Sequence, residues 1–373
     1  MNHELVSLLT RVLDPDWLGE HTGAPVRAAR LRVKPRTSIS VSLVSGDDGV
    51  GVGWMRVLWP INHVKADLAL RDAERHGYHV DVRHVTQRLV TVTGPTEGDP
   101  KLRRNLRRAL SGGLLSTWPP AELLRYNPMR RLVVRDGDRV VRIAAKAAPG
   151  EEEILDLVSG IVPCPERLDD RSLPGCSAVR FTGDGDLAAL PSSAGAEQTG
   201  RLIARLHDAV VAPGELRDHL GSRGLDPVRQ GLCHADLLDH LAPTLAARVR
   251  GMLAQLPPWP TTGGVLSHGD LSPDQVLVVR DGTRVWLTDF DRAQLAPVAA
   301  DLGSFLSEAT PEIGAAFRAG YEAAGGTPLD EEDIAHGIAW SWTLRLMDPL
   351  RHADPNWQER VEQQLDRIDE VLS

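Results

Sequence analysis

The sequence predicts an α+β fold in two lobes: a small antiparallel β lobe carrying an N-terminal extension, followed by a larger, mainly helical C-terminal lobe. Three observations lead there. Residues 123–146 and 276–288 run as β-branched segments around Asp-Gly turns, which is the pattern of hairpins. Residues 312–373 read as helices. A chain of 373 residues with 42% hydrophobic content is long and apolar enough to bury a large core shared between two lobes.

Residues 1–120 are assigned to the extension. Within it, residues 32–60 run Arg-x-x-Pro, β-branched strand, Asp-Gly turn, strand, the same form as residues 125–144. This is either a degenerate internal copy of the later hairpin or the usual grammar of hairpins. The basic run KLRRNLRRAL at 101–110 places its charges at helical spacings around Leu102, Leu106 and Leu110. That pattern fits an amphipathic helix with a wet face and does not call for a nucleic-acid partner. Residues 121–185 hold the small lobe. Its strands span 123–146 with turns at Asn127-Pro128 and Asp136-Gly137, a helix opens at Glu151, a strand follows at 177–181, and Gly183 to Gly185 make a turn. Residues 186–373 make the helical lobe, with a helix over 200–208.

The stretch with most chemistry is 266–305, LSHGDLSPDQVLVVRDGTRVWLTDFDRAQLAPVAADLGSF. It sets His268, Asp270, Gln275, Asp289 and Asp291 on two short turns between apolar runs. The hairpin around Asp281-Gly282 brings Gln275, at its start, close to Asp289, at its end. Moving a phosphoryl group asks a protein mainly for positioning and charge stabilisation: one carboxylate for the acceptor hydroxyl, and oxygen ligands for magnesium. Asp270 suits the first role; Gln275 and Asp289 suit the second. Two other His-x-Asp triplets, at His234 and His352, lack a hairpin and a second carboxylate turn and are expected to be packing or surface residues.

At these residues the chain resembles the aminoglycoside phosphotransferase and choline kinase family, relatives of the protein kinases. The resemblance implies a protein-kinase-like fold and an ATP-dependent transfer, with GTP as the alternative donor, to the hydroxyl of a small molecule. Carried over, it makes Asp270 the catalytic carboxylate beside His268, which holds the loop. Gln275 and Asp289 become magnesium ligands, Asp291 supports the metal, and Asp301 bonds to the loop backbone. Gln275 stands where the family commonly has Asn, as in maltokinase-like members, which also carry an N-terminal extension. In the small lobe, Arg142 stands at the position of the phosphate-binding lysine. Either Arg142 meets the phosphates and pairs with Glu151 or Glu152, or Lys146 reaches in from the strand end. Arg130 and Arg131 lie on the turn over the phosphates, though arginines there are solvated by default. Adenine is expected to bond to backbone between Arg180, Phe181 and Thr182.

Composition narrows the rest. No apolar run is long enough for a membrane span and the first residues do not form a signal peptide, so a cytoplasmic protein is expected. Cys164, Cys176 and Cys233 have neither metal-type spacing nor an even count. Residues 1–150 carry a net charge of +9 and residues 151–373 one of −18. A basic wall suits nucleotide phosphates, and an acidic one suits a polar or cationic acceptor, unless both are merely solvated faces. Three functions remain open: phosphorylation of an aminoglycoside-like antibiotic or natural product, a maltokinase-like sugar kinase, and a non-catalytic pseudokinase, the last suggested by Arg142. Trp340, Trp342 and Trp357 stack on a sugar or, more simply, fill the core.

Overall fold

The computed structural model describes residues 3–46, 49–120, 122–147, 149–168, 173–260 and 264–373. The chain begins with helices α1 (His3–Leu13) and α2 (Pro15–Thr22). Strands β1 (Val26–Lys34), β2 (Ser38–Ser45) and β3 (Gly51–Leu58), helix α3 (Val64–His76), and strands β4 (Asp81–His84) and β5 (Val90–Pro95) then form an antiparallel sheet of order β1-β2-β3-β5-β4. Helix α4 (Arg103–Ser111) confirms the amphipathic helix expected there, burying Leu106 and exposing Arg104 and Arg107.

A second antiparallel sheet contains β6 (Glu122–Asn127), β7 (Arg131–Asp136) and β8 (Arg139–Ala144), then, after helix α5 (Glu151–Ser159), β9 (Cys176–Arg180), in the order β6-β7-β8-β9. The two sheets repeat one plan: a three-strand meander, a helix, and a strand returning beside the third. Register agrees as well. Arg56 lies between Ser40 and Val92, and Arg142 between Val133 and Ser177. The first turn of each passes through Pro35 or Pro128 into a residue of positive φ, Arg36 at 55° and Met129 at 65°. Nine residues beyond the arginine, however, stands Lys65 in the first sheet and Glu151 in the second. Only the second copy has the acid that can partner its arginine.

The helical lobe follows. It contains β10 (Gly185–Asp186), α6 (Ser193–Asp208), α7 (Glu215–Ser222), α8 (Pro227–Leu241) and α9 (Pro243–Leu253). Four short strands come next: β11 (Val265–Ser267), β12 (Val276–Val278), β13 (Val285–Leu287) and β14 (Gln294–Ala296). Helices α10 (Val298–Leu306), α11 (Pro311–Ala323), α12 (Glu331–Arg345), α13 (Asp348–Arg351) and α14 (Trp357–Leu372) complete it. Among the described residues, no helix is long and apolar enough to cross a membrane.

Alternation along β3 lets the first sheet serve both lobes, because successive side chains point to opposite faces. Trp54 and Leu58 join a core with Leu132, Val134, Val141 and Ile143 of the second sheet. Met55 and Val57 join another with α1 and with Leu238, Val249, Trp340 and Leu365 of the helical lobe. The first 120 residues thus pack as a wedge against both lobes. Trp340 and Trp357 are buried in this core.

Candidate active site

The loop after β11 is fixed from behind by one carboxylate. Asp301, fully buried on α10, accepts hydrogen bonds from the His268 amide (2.8 Å), the Gly269 amide (3.0 Å) and the Ser267 hydroxyl (2.7 Å). His207 at the end of α6 lies 3.1 Å from its other edge and is held in turn by Tyr321. Burial alone would raise the Asp301 carboxyl, but the bond and charge of His207, with His268 and the Gly269 amide, hold it down at about 2. Gly269 has φ +80°, and a Cβ there would lie 2.0 Å from the Arg292 carbonyl oxygen, so only glycine fits this turn. His268 is itself fully buried: its Nε2 donates to the Thr288 carbonyl (2.8 Å) and its ring packs on Phe290. It joins the two turns from inside the loop and faces no open cleft.

Asp270 emerges from this loop half-exposed. Arg292 lies 3.1 Å from its Oδ2 and Arg345 3.2 Å from its Oδ1. Beside it a small pocket is lined by Trp259, Ser304, Trp340, Ser341 and Arg345. The hairpin β12–β13 pairs Val276 with Leu287, and the Thr288 amide bonds the Gln275 carbonyl at 3.1 Å, so Gln275 and Asp289 do come together. Gln275 donates its Nε2 to Asp274 (3.0 Å), which leaves Oε1 available. Asp289 adopts the left-handed conformation at φ 61°, ψ 51°, which Asp tolerates better than most residues. Its nearest cations are Arg131 at 3.6 Å and Arg125 at 3.9 Å.

Asp291, expected beside the metal ligands, is held in place by arginines. Arg142 holds it with two bonds of 2.8 Å, and Arg131 adds a third at 2.8 Å. A carboxylate gripped by two guanidinium groups has little left to offer an ion. Arg142 also bonds Glu151, which decides between the two candidate acids: Glu152 instead faces Arg167 at 3.4 Å. Burial pulls the Arg142 guanidinium down, but Asp291 and Glu151 outweigh it and raise it above an ordinary arginine. Lys146 is exposed past the end of β8, with no ion pair among the described residues.

The adenine expectation meets groups already in use. The Arg180 amide bonds the Glu166 carbonyl (2.8 Å), and the Phe181 amide bonds the Asp138 carbonyl (2.7 Å). Arg180 also pairs with Glu166 and Asp138, Arg135 stacks over the Phe181 ring, and the Thr182 hydroxyl donates to the Arg180 carbonyl. Of the two turn arginines, Arg131 reaches the carboxylates of Asp289 and Asp291, while Arg130 is exposed without an ion pair among the described residues. The turn is set from the extension, where fully buried Asp99 accepts from the Met129 amide (2.7 Å) and the Tyr126 hydroxyl (2.9 Å).

Sequence reasoning passed over Arg125, Arg292, Arg345 and Asp99. Arg292 could have been suspected from its place right after the DFD turn, but Arg345 reaches Asp270 across 75 residues with no local signal. The acids 330–333 open α12, whose other end carries Arg345. At 1.5 Å rise per residue they lie roughly 20 Å from Asp270, on a solvated face. His234 is buried against α12, as a packing residue should be, and His352 is exposed.

A model of the phosphotransferase enzyme family matches residues 117–337. No curated protein matches the chain. Among solved structures, the choline kinase LicA of Streptococcus pneumoniae in complex with AMP is similar at 14% identity, covering 72% of this chain and 98% of that one with a TM-score of 0.50. A choline/ethanolamine kinase family protein from Mesorhizobium loti is similar at 18% identity over 73% and 95% of the two chains (TM-score 0.49). The macrolide 2'-phosphotransferase MphH of Brachybacterium faecium aligns at 19% identity over 81% and 98% (TM-score 0.42).

Proposed function

The chain belongs to the phosphotransferase enzyme family, and from that premise we propose that Asp270 is the catalytic carboxylate in the transfer of the γ-phosphoryl group of ATP to a small-molecule hydroxyl. The observation that carries this reading is the placement of Asp270 on a loop locked by Asp301 and followed at once by the hairpin that joins Gln275 to Asp289. A carboxylate so fixed can orient the acceptor hydroxyl and take its proton, while positioning and charge do the remainder. A nucleotide donor accords with the AMP bound by LicA.

The donor set suits magnesium. Gln275 Oε1 and the Asp289 carboxylate are hard oxygen ligands, and the arginines that face Asp289 stand 3.6 and 3.9 Å away, beyond hydrogen-bond distance. Magnesium bound there supplies neutralisation of phosphate charge. The nearby arginines complement it. Arg125 and Arg131 line the small-lobe side and suit the nucleotide phosphates, while Arg142 ties that side to Asp291 with the planar fork that lysine lacks. Residues 1–120 act as a cap-like extension, residues 121–185 as the nucleotide-binding lobe with its hinge, and residues 186–373 as the catalytic and acceptor lobe.

The acceptor is a hydroxyl compound such as a sugar, an antibiotic or another natural product; the extension and Gln275 favour the sugar. A pseudokinase is the second reading, favoured by the arginines that sit against Asp289 and Asp291. The deciding assay is ADP release with Mg-ATP across aminoglycosides and sugars, run beside Asp270→Ala. Turnover that vanishes in the variant while Mg-ATP still raises its melting temperature supports the proposal. Near-normal turnover in Asp270→Ala removes Asp270 from its role, and absence of any magnesium-dependent ATP shift favours the pseudokinase.

A further inference from the structure

The side of the cleft beyond Asp270 carries far more positive charge than phosphoryl transfer from a nucleotide uses. Arg30 and Arg32 stand two apart on β1, opposite Ser42 and Ser40 in the register with β2, so they share one face of the sheet. Strand β1 packs against α13, which follows directly on the helix that brings Arg345 to Asp270. Arg130 stands on the turn between β6 and β7, where the charges that act on it are those of Arg32, Arg131, Arg292 and Arg351. Arg292 in turn touches Asp270 at 3.1 Å. Arg30, Arg32 and Arg130 have no ion pair among the described residues, whereas Arg351 is satisfied by Asp348 at 2.8 Å.

Like charges brought together in a cleft repel one another and focus a positive field into the space between them. Burial and then Arg125 pull the Arg30 guanidinium down to about 10, with Asp348 opposing them. Their origin matters too. Arg30 and Arg32 precede the 117–337 region that matches the family model, and Arg345 and Arg351 follow it, so most of this wall is added by the rest of the chain. An aminoglycoside-like polycation would be repelled here, and a neutral sugar would leave the charges unanswered.

We propose that the acceptor carries its own oxyanion, and that Arg30, Arg32 and Arg130 hold that group while Asp270 faces the hydroxyl. The inference rests on the assignment of Asp270 and the nucleotide side made above, and it names the substrate class of that same site. The chemical step is unchanged: the bond from the γ-phosphorus to the bridging oxygen breaks, and the acceptor oxygen forms the new bond to phosphorus. The hydroxyl proton passes to Asp270, and the nucleoside diphosphate leaves with the electron pair. What the arginines add is selection, since a doubly hydrogen-bonded oxyanion is held in one orientation.

The test uses the full chain saturated with Mg-ADP and four six-carbon probes: glucosamine, glucose, gluconate and glucose 6-phosphate, with inorganic phosphate as a fifth. Melting temperature is followed as each is titrated, in the natural protein and in Arg30→Gln/Arg32→Gln. Stabilisation by one or more oxyanions, absent with glucose and glucosamine and weakened at least tenfold in apparent affinity in the double variant, is the expected result. Gluconate against glucose 6-phosphate then tells a carboxylate from a phosphate ester. The proposal is overturned if no oxyanion stabilises the protein, if the double variant responds equally, or if glucose or glucosamine binds better. A Mg-ATP shift retained in the variant shows that its fold and nucleotide side persist. Loss of that shift in the natural protein would instead defeat the phosphotransfer assignment itself, so the two failures are separable.

Discussion

Arg142 grips Asp291 with two parallel hydrogen bonds of 2.8 Å while bonding Glu151 with one of the same nitrogens. The side chain thus links the small lobe to the turn that carries Asp289, where a lysine could offer only a point charge. Arg142→Lys should therefore lower kcat/KM for ADP release by about tenfold or more, the effect of one charge-assisted hydrogen bond worth about 1.5–3 kcal/mol. A Lys variant as active as the natural chain would show that the fork geometry is not used.

Asp301 predicts a pH effect with a definite sign. Its carboxyl sits at about 2 when folded, below the usual 3.8, so the charged form is favoured by the fold. The stability it contributes is complete above about pH 4 and disappears as pH falls toward 2. It amounts to about 2 kcal/mol at about 1.4 kcal/mol per unit. In urea unfolding, the natural protein should lose that much between pH 4 and pH 2. Asp301→Asn, already weakened because an amide cannot accept from every donor around it, should be flatter over the same window. Equal slopes for the two proteins would rule this out.

Local pattern made half of the site legible. Gln275 and Asp289 were predicted to meet because a β-branched run, Asp281-Gly282 and a second run can hardly form anything but a hairpin, and the structure pairs Val276 with Leu287 accordingly. Arg142 was placed by the resemblance of its strand to the family's phosphate-binding strand. The arginines on Asp270 were not legible. Arg345 arrives on a helix 75 residues later. Contacts of that range depend on how lobes pack, which periodicity does not encode. Net charge over the acidic C-terminal half could not place its acids, because a segment's charge says nothing about which face it lines.

Packing of the extension gives a third expectation. Met55, fully buried, joins the core shared by α1, α8, α9 and α14, so truncating it leaves a cavity between the first sheet and the helical lobe. Met55→Ala should cost about 3 kcal/mol. Because that core crosses from one unit to the other, the loss should appear as one cooperative transition moved to lower denaturant. Two transitions, with only the earlier one shifted, would mean that residues 1–120 fold as a separate body.

Asp289 and Gln275 should separate in their metal dependence. Asp289→Asn keeps a residue that tolerates the left-handed backbone at φ 61° and removes only the charge, so the fold should hold while magnesium no longer strengthens ATP binding. Gln275→Asn keeps an amide oxygen one methylene shorter, and the loss there should stay within about tenfold, or about 1.4 kcal/mol. The measurement is the ATP-induced rise in melting temperature with and without magnesium for each variant. If Asp289→Asn retained the full magnesium effect while Gln275→Asn abolished it, the ion would have to be held elsewhere in the cleft. Asp274, exposed and bonded to the Gln275 amide at 3.0 Å, would then be the first carboxylate to test.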